Sequence, residues 1–202
     1  MEAMESVGVV QVAILIKSKT PEADRNFWST QWECFLDAQR LHGRSFRLDV
    51  AAEPLTSKCN RYYARPEMVD ELLDYRTRAE VKRQMRESGA VCVGLDSLML
   101  PWEDDWWCNP PFDIKEQFIR KAKREQAKGH AGMMLLPYEP LTNWWRDNLQ
   151  EGVIIYEPDG RYNFMERDGK TKKSGANFGS VLVSFPSQHI GQSPRIPFVR
   201  GR

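Results

Sequence analysis

The chain lacks most of the features that quickly assign a protein to a class. Its 202 residues carry 29 Lys and Arg against 28 Asp and Glu, a formal net charge of +1. That balance gives no global signature of a nucleic-acid binder, so a polyanion site has to come from local clusters of charge. Cysteine is scarce, and Cys34, Cys59, Cys92 and Cys108 show no CxxC pairing or other metal-ligand spacing. They are expected to be reduced, buried thiols of an intracellular protein, not a disulfide framework or a zinc site. The three histidines, His42, His130 and His189, fall in no Ser/His/Asp or metal-ligand pattern, and no metal is expected. No apolar run approaches the ~20 residues that cross a bilayer. The longest near the start, VGVVQVAILI, has no basic region before it and no small-residue cleavage site after it. A cytoplasmic protein without membrane contact is therefore expected.

Apolar residues make up 41% of the chain, enough for a substantial core in one domain. The reading places an N-terminal extension over 1–16, the domain over 17–186, and a loosely ordered tail rich in Pro and Arg over 187–202. No internal repeat or low-complexity tract is visible. Two segments concentrate positive charge. KEQFIRKAKREQAKGH reads as the solvated face of an amphipathic helix. RDGKTKKSG, with Arg167, Lys170, Lys172 and Lys173, reads equally as a solvated loop or as a phosphate contact.

STQWECFLDAQRLHG begins with a Ser/Thr cap signal, carries Trp32, Phe35, Leu36 and Leu41 at helical spacing and stops at Gly43, which predicts a helix. FRLDVAA predicts a short strand running into a turn, KCNRYYARP an irregular stretch, and MVDELLDYRTRAEVKRQMRESG a charged helical segment. AVCVGLDSL is a candidate buried strand, DWWC a second and GMMLLP a third. IKEQFIRKAKREQAKG and LTNWWRDNLQEG predict helices, and VIIYE and SVLVSF further strands. Alternating strands and helices predict an α/β fold, a mainly parallel sheet covered on both faces. Ligands in such sheets bind beyond the strands' C-terminal ends. FRLDVAA, GLDSL, WCNPPF and LLPYEP are expected to place their polar residues there.

WCNPPF is the most informative of these segments. Pro110 and Pro111 have no backbone donors and hold φ near −65°, and together they push Asn109 into an extended conformation on a stiff platform. An amine conjugated with an aromatic ring, such as N6 of adenine, is a poor nucleophile because its lone pair is delocalised. The Asn109 side-chain oxygen and the Pro110 carbonyl can each accept one N–H and draw that nitrogen towards tetrahedral geometry. Phe112 offers a face for the ring to stack on, worth ~1–3 kcal/mol. By itself, a Pro-Pro pair after a strand is an ordinary loop breaker.

The order of the segments resembles that of the phage-type DNA N6-adenine methyltransferases, over roughly Lys17 to Phe185. TPEADRNFWST is similar to that family's opening segment and FRLDVAAEPLTSKCNRYY to its first strand with the Cys-x-x-Tyr-Tyr stretch. GLDSL…W…WWCNPPF resembles its central block, MMLLP…TNWW the strand and paired aromatics after the catalytic loop, GRYNF its Gly-Arg-x-x-Phe turn and NFGSVLVSF its closing strand. NPPF belongs to the (Asp/Asn/Ser)-Pro-Pro-(Tyr/Phe/Trp) class. The resemblance implies a Rossmann-like fold dependent on S-adenosylmethionine, with a seven-stranded type of sheet and an antiparallel last strand. It implies double-stranded DNA as partner and a phage or prophage gene acting in a bacterial cytoplasm; no obligate protein partner follows from it.

Carried over by position, the resemblance implies that Asn109, Pro110, Pro111 and Phe112 hold a flipped-out adenine. Asp49 would lie near the methionine end of the cofactor, Ala51 and Ala52 would keep the turn small, and Asp96 would accept from the cofactor's adenine amino group. Thr30 would reach the cofactor, although Gln31 stands where the family has proline. Trp107, Trp144, Arg161, Lys170, Lys172 and Lys173 are the candidate DNA contacts. Ordinary structural roles remain open for several of these residues: Asp49 and Asp96 as caps, the tryptophans as core, and Arg161 as the partner of a nearby carboxylate. Two rival functions also stand: methylation of another planar amine, in RNA or a protein glutamine, and a non-catalytic nucleic-acid-binding module that keeps the fold.

Overall fold

Side chains along the inner strands alternate between two buried faces, the period-2 pattern of a sheet covered on both sides. Trp106, Cys108, Met134, Leu136, Val181 and Val183 pack into one cluster, while Trp107, Met133, Leu135 and Leu182 pack into another. The computed structural model describes residues 27–173, 178–188 and 190–202. The extension expected over 1–16, and His189, lie outside the described residues.

The chain begins with β1 (Ser29–Thr30), α1 (Trp32–His42), β2 (Leu48–Asp49) and β3 (Arg61–Ala64), then α2 (Met68–Leu73), α3 (Tyr75–Ser88) and β4 (Val91–Leu95). There follow β5 (Trp106–Cys108), a 3₁₀ turn over Phe112–Ile114, α4 (Lys115–Gln126), β6 (Gly132–Pro137) and α5 (Asn143–Leu149). The last elements are β7 (Ile154–Pro158), β8 (Phe164–Met165), β9 (Ser180–Phe185) and β10 (Arg195–Phe198). Eight strands form one sheet in the order β10-β7-β9-β6-β5-β2-β3-β4, and β1 pairs separately with β8. Within the large sheet only β9 runs antiparallel to its neighbours, β6 and β7. This is the expected α/β architecture, with eight strands instead of seven and with the antiparallel strand β9 followed by a further parallel strand, β10. One face is covered by α4 and α5 through Phe118, Ile119, Trp144 and Leu149, and the opposite face by α1 through Cys34, Phe35 and Ala38.

Several expectations need correction. RYYA is not irregular; it is β3, inside the sheet between β2 and β4, with Tyr62 and Tyr63 buried. AVCVGL is the edge strand β4, not a buried one, and leaves Val91 and Val93 exposed. The long charged helix is broken at Asp74, whose extended backbone ends α2 and whose carboxylate accepts from Thr77 N to cap α3. Ser29 and Thr30 do not cap α1 but pair with Met165 and Phe164, and Trp32 and Leu36 face outward from that helix. Gly43 does close it, at φ +78°. The expected loose tail contributes β10, parallel to β7. Arg40 donates to the Val199 carbonyl and Gly201 N to the Asp37 carboxylate, which ties this segment to α1.

Candidate active site

The chain moves outward from β2 through β3 and β4, then returns to β5 on the other side of β2. This reversal makes the C-terminal ends of β2 and β5 the crevice of the sheet. A cavity of about 360 Å³ lies there. Residues 50–52 after β2, 64–67 at the end of β3, 96–98 after β4, and Asn109 with Pro111 after β5 all line it, as do Phe27 and Trp28 just ahead of β1. Three of the four predicted strand ends therefore meet. The fourth place belongs to β3, not to LLPYEP, where Glu139 instead accepts from Trp144 Nε1 at 2.8 Å.

Asn109 is held from an unforeseen direction. Its Nδ2 donates to the Trp28 carbonyl at 2.9 Å, which orients the amide and leaves Oδ1 buried, with no hydrogen-bond partner among the described residues. Such an atom costs ~1–3 kcal/mol relative to a satisfied one. Ser97 Oγ and Trp28 Nε1 are buried and unpartnered in the same sense and belong to residues lining the same cavity. Pro110 is buried and Pro111 extended, at φ −55° and ψ 127°. Phe112 is packed, not open: the rings of Trp28, Phe164 and Phe178 stand nearly perpendicular to it at 6.2, 5.9 and 5.2 Å.

Ala51, Ala52 and Asp96 line the cavity. Asp96 adopts φ +61°, a left-handed conformation uncommon outside glycine, and its carbonyl accepts from Met99 N in the following turn. Asp49 stands behind the cavity. Its carboxylate accepts from Ala51 N at 3.2 Å and Lys58 N at 3.0 Å, so it shapes the loop that carries Ala51 and Ala52. Burial pushes its pKa from 3.8 up to about 6, against the two N–H donors and the Lys58 charge. Burial likewise lowers the Lys58 pKa, and that ammonium donates to Ser29 Oγ at 3.2 Å. Thr30 is buried in β1 and does not line the cavity. Burial also pushes the Cys34, Cys59 and Cys108 thiols upward, which keeps them protonated and unreactive.

Two predicted DNA contacts are core residues. Trp107 is 1% exposed and packs against Phe35 and Phe46. Trp144 is buried against Trp145 with its indole N–H on Glu139. Both assignments fail for one reason: large aromatics bury most of their area in cores. Arg161, Lys170 and Lys172 are exposed and make no ion pair among the described residues. Lys173 pairs with Glu166 at 3.1 Å and lies over the Trp28 ring.

Sequence reasoning missed Phe27, Trp28, Glu53, Arg65 and Glu67, all of which line the cavity. Glu53 accepts from Arg65 at 2.8 Å and from Arg167 at 2.6 Å, and both guanidiniums flank the Phe27 ring. This clasp fixes the turn after β8 beside a second recess of about 250 Å³, lined by Phe27, Trp28, Glu166, Arg167, Asp168 and Thr171. The signal available in the sequence was the aromatic pair in NFWST, directly before Ser29.

No described helix is long and apolar enough to cross a membrane. Comparison with known proteins gives three results. A DNA N-6-adenine-methyltransferase from Escherichia phage T1 is 24% identical over 180 residues, an alignment that covers 82% of this chain but 64% of the phage T1 protein, so the chain spans under two thirds of that relative. A protein of the same description from Haemophilus phage HP1 is 21% identical over 175 residues, covering 85% of each chain. A predicted O-methyltransferase structure from Agrobacterium tumefaciens superposes over 77% of each chain at 14% identity with a TM-score of 0.36, too low to bear on the fold, which rests on the strand order. The family model of the DNA N-6-adenine-methyltransferases (Dam) matches residues 91–196, more than half of the chain and the stretch that holds β5, Asn109 and the basic turn, and the chain belongs to that family.

Proposed function

We propose that the chain transfers a methyl group from S-adenosylmethionine to the N6 amine of an adenine flipped out of double-stranded DNA, in the cytoplasm of a phage-bearing cell. The observation that carries this reading is Asn109 Oδ1, a buried acceptor aligned by the Trp28 carbonyl and left without a partner among the described residues. An exocyclic amine supplies the N–H that it lacks. The Pro110 carbonyl accepts the second N–H, and the two acceptors together hold the lone pair away from the ring. Tandem prolines keep both acceptors fixed, so little reorganisation accompanies the reaction.

The cavity suits the donor molecule. Its volume lies in the range of small-molecule sites, ~300–1,000 Å³. Ala51 and Ala52 admit close approach of a ligand to the backbone, the Asp96 carboxylate accepts from an adenine amino group, and the Ser97 hydroxyl stands ready beside it. S-adenosylmethionine, when bound, supplies a methyl group on a positively charged sulfur. Asp49 acts indirectly, by holding the loop of Ala51 and Ala52, and Thr30 by anchoring β1 beside β8. A base that stacks on Phe112 displaces one of the three rings now packed on it. Arg161, Lys170 and Lys172 contact DNA phosphates.

The test is transfer of labelled methyl to DNA, RNA and protein in parallel, with nucleoside analysis of the product, for the parent chain and for Asn109→Ala. N6-methyladenine in DNA from the parent, with turnover lost but S-adenosylmethionine binding retained in the variant, is the expected result. Near-parental methylation by Asn109→Ala refutes the assigned chemistry. Label appearing in RNA or protein alone refutes the substrate.

A further inference from the structure

The acceptor on Asn109 is one half of a pair. Trp28 Nε1 is a donor, also buried and also without a partner among the described residues, and Trp28 and Asn109 line the same cavity. The 2.9 Å bond from Asn109 Nδ2 to the Trp28 carbonyl fixes the Asn109 amide against the backbone that carries the indole. Tryptophan offers a single N–H and no acceptor, and buried indoles usually find a partner. Leaving both atoms unpaired is costly; both belong to residues that line one cavity, and one ligand there can satisfy both if it presents a donor beside an acceptor and the side chains turn to meet it.

We propose that the Trp28 indole N–H is the second reader of the target base, donating to a ring nitrogen that flanks the amine while Asn109 Oδ1 accepts from the amine itself. This rests on the reading that the substrate is adenine. Adenine presents its N6–H donor between two acceptors, N1 and N7, so either edge fits an acceptor–donor pair. Guanine and thymine carry a carbonyl where the amine should be. Either would face Asn109 Oδ1 with a second acceptor, and a site built on buried polar groups rejects such a mismatch strongly. Cytosine shares the amine-and-acceptor pattern, so these two contacts alone do not exclude it. Trp28 is thus a specificity residue that also positions the catalytic amide, and its ring, which stacks parallel to Phe178 at 6.1 Å, keeps the indole edge in place.

Trp28→Phe keeps the ring and removes the N–H. The experiment measures single-turnover methylation of duplexes that contain the sequence the parent methylates, with adenine, 1-deazaadenine or 7-deazaadenine at the target. Each analogue replaces one flanking nitrogen by C–H. The parent is expected to lose about tenfold in rate on one of the two analogues, Trp28→Phe to lose about tenfold on adenine, and the variant to be indifferent to that same analogue. Because Trp28 also lines the cavity assigned to S-adenosylmethionine, donor affinity is measured by calorimetry in parallel, and a fall in it that accounts for the rate loss of Trp28→Phe overturns the proposal. Losses that multiply, or a variant as fast as the parent on adenine, overturn the proposal. Should Trp28→Phe fail to fold, undiminished rates of the parent on both analogues overturn it without any variant. A parent that methylates no adenine at all refutes the underlying function, a result distinct from each of these.

Discussion

Asp49 makes the stability of this protein depend on pH in the direction opposite to most carboxylates. Its carboxyl is fully buried and its pKa is raised from 3.8 to about 6. Between those values the folded chain holds a proton that the unfolded chain has released, so stability falls as pH rises. The contribution is complete below about pH 4 and lost above about pH 6. At ~1.4 kcal/mol per pKa unit, the shift is worth about 3 kcal/mol. Asp49→Asn removes the titration, keeps one acceptor oxygen for Ala51 N or Lys58 N, and adds a misplaced donor whose cost does not vary with pH. Urea unfolding followed by fluorescence of the seven tryptophans, at pH 4, 5, 6 and 7, gives the stability of both proteins. The difference, parent minus variant, should drop by about 2 kcal/mol across that range, the remainder titrating below pH 4. A difference that stays flat refutes the claim that burial outweighs the two backbone donors and Lys58. One that rises with pH shows that the donors win.

Three further outcomes follow from the packing and the charge. At Gly132 an added Cβ would stand 2.1 Å from Trp106 Cδ2 and 2.4 Å from the Trp106 carbonyl, and Trp106 is fixed by Trp102 and Phe185. Gly132→Ala should therefore lower stability by about 3 kcal/mol, read from thermal unfolding. Trp144→Phe, which loses the bond to Glu139, should cost about 1 kcal/mol yet leave methyl transfer per folded molecule unchanged; a selective loss of DNA binding would return Trp144 to the interface. Replacing Lys170 and Lys172 together by alanine should reduce the slope of log affinity for DNA against log salt by about 1.8, at ~0.9 per lost phosphate contact, while the base preference stays the same.

What could be read in advance was whatever short-range chemistry decides. Asn109, Pro110 and Pro111 set their own backbone, Ala51 and Ala52 their own size, and the buried runs WWC and GMMLLP their own strands, so that part of the cavity was legible. Residues whose role is assigned by distant neighbours were not. RYYA becomes a strand because β2 and β4 flank it, and four residues between a Lys-Cys-Asn turn and Arg-Pro carry too little periodicity to reveal this. RIPF pairs with β7 at a sheet edge, a setting that tolerates Pro197 in a strand. Trp28 acquires its importance from Asn109, 81 residues further along the chain. Trp107 and Trp144 show the converse, since an aromatic near a catalytic motif looks the same in sequence whether it faces the cleft or the core.

The carboxylate of Asp37 has consequences for how the chain is made. It is buried on α1, and beyond Arg40 its partners are the Tyr162 hydroxyl at 2.6 Å and Gly201 N at 3.0 Å. Both lie far along the chain, so a nascent chain that has not reached residue 201 leaves this carboxylate short of at least one of its hydrogen-bond partners. The sheet imposes the same delay, because β9 must slot between β6 and β7. The apolar face of α1 escapes that delay: Phe35 packs on Phe46 and Trp107, both made by residue 107, so the hydrophobic contacts of the helix are available well before its polar ones.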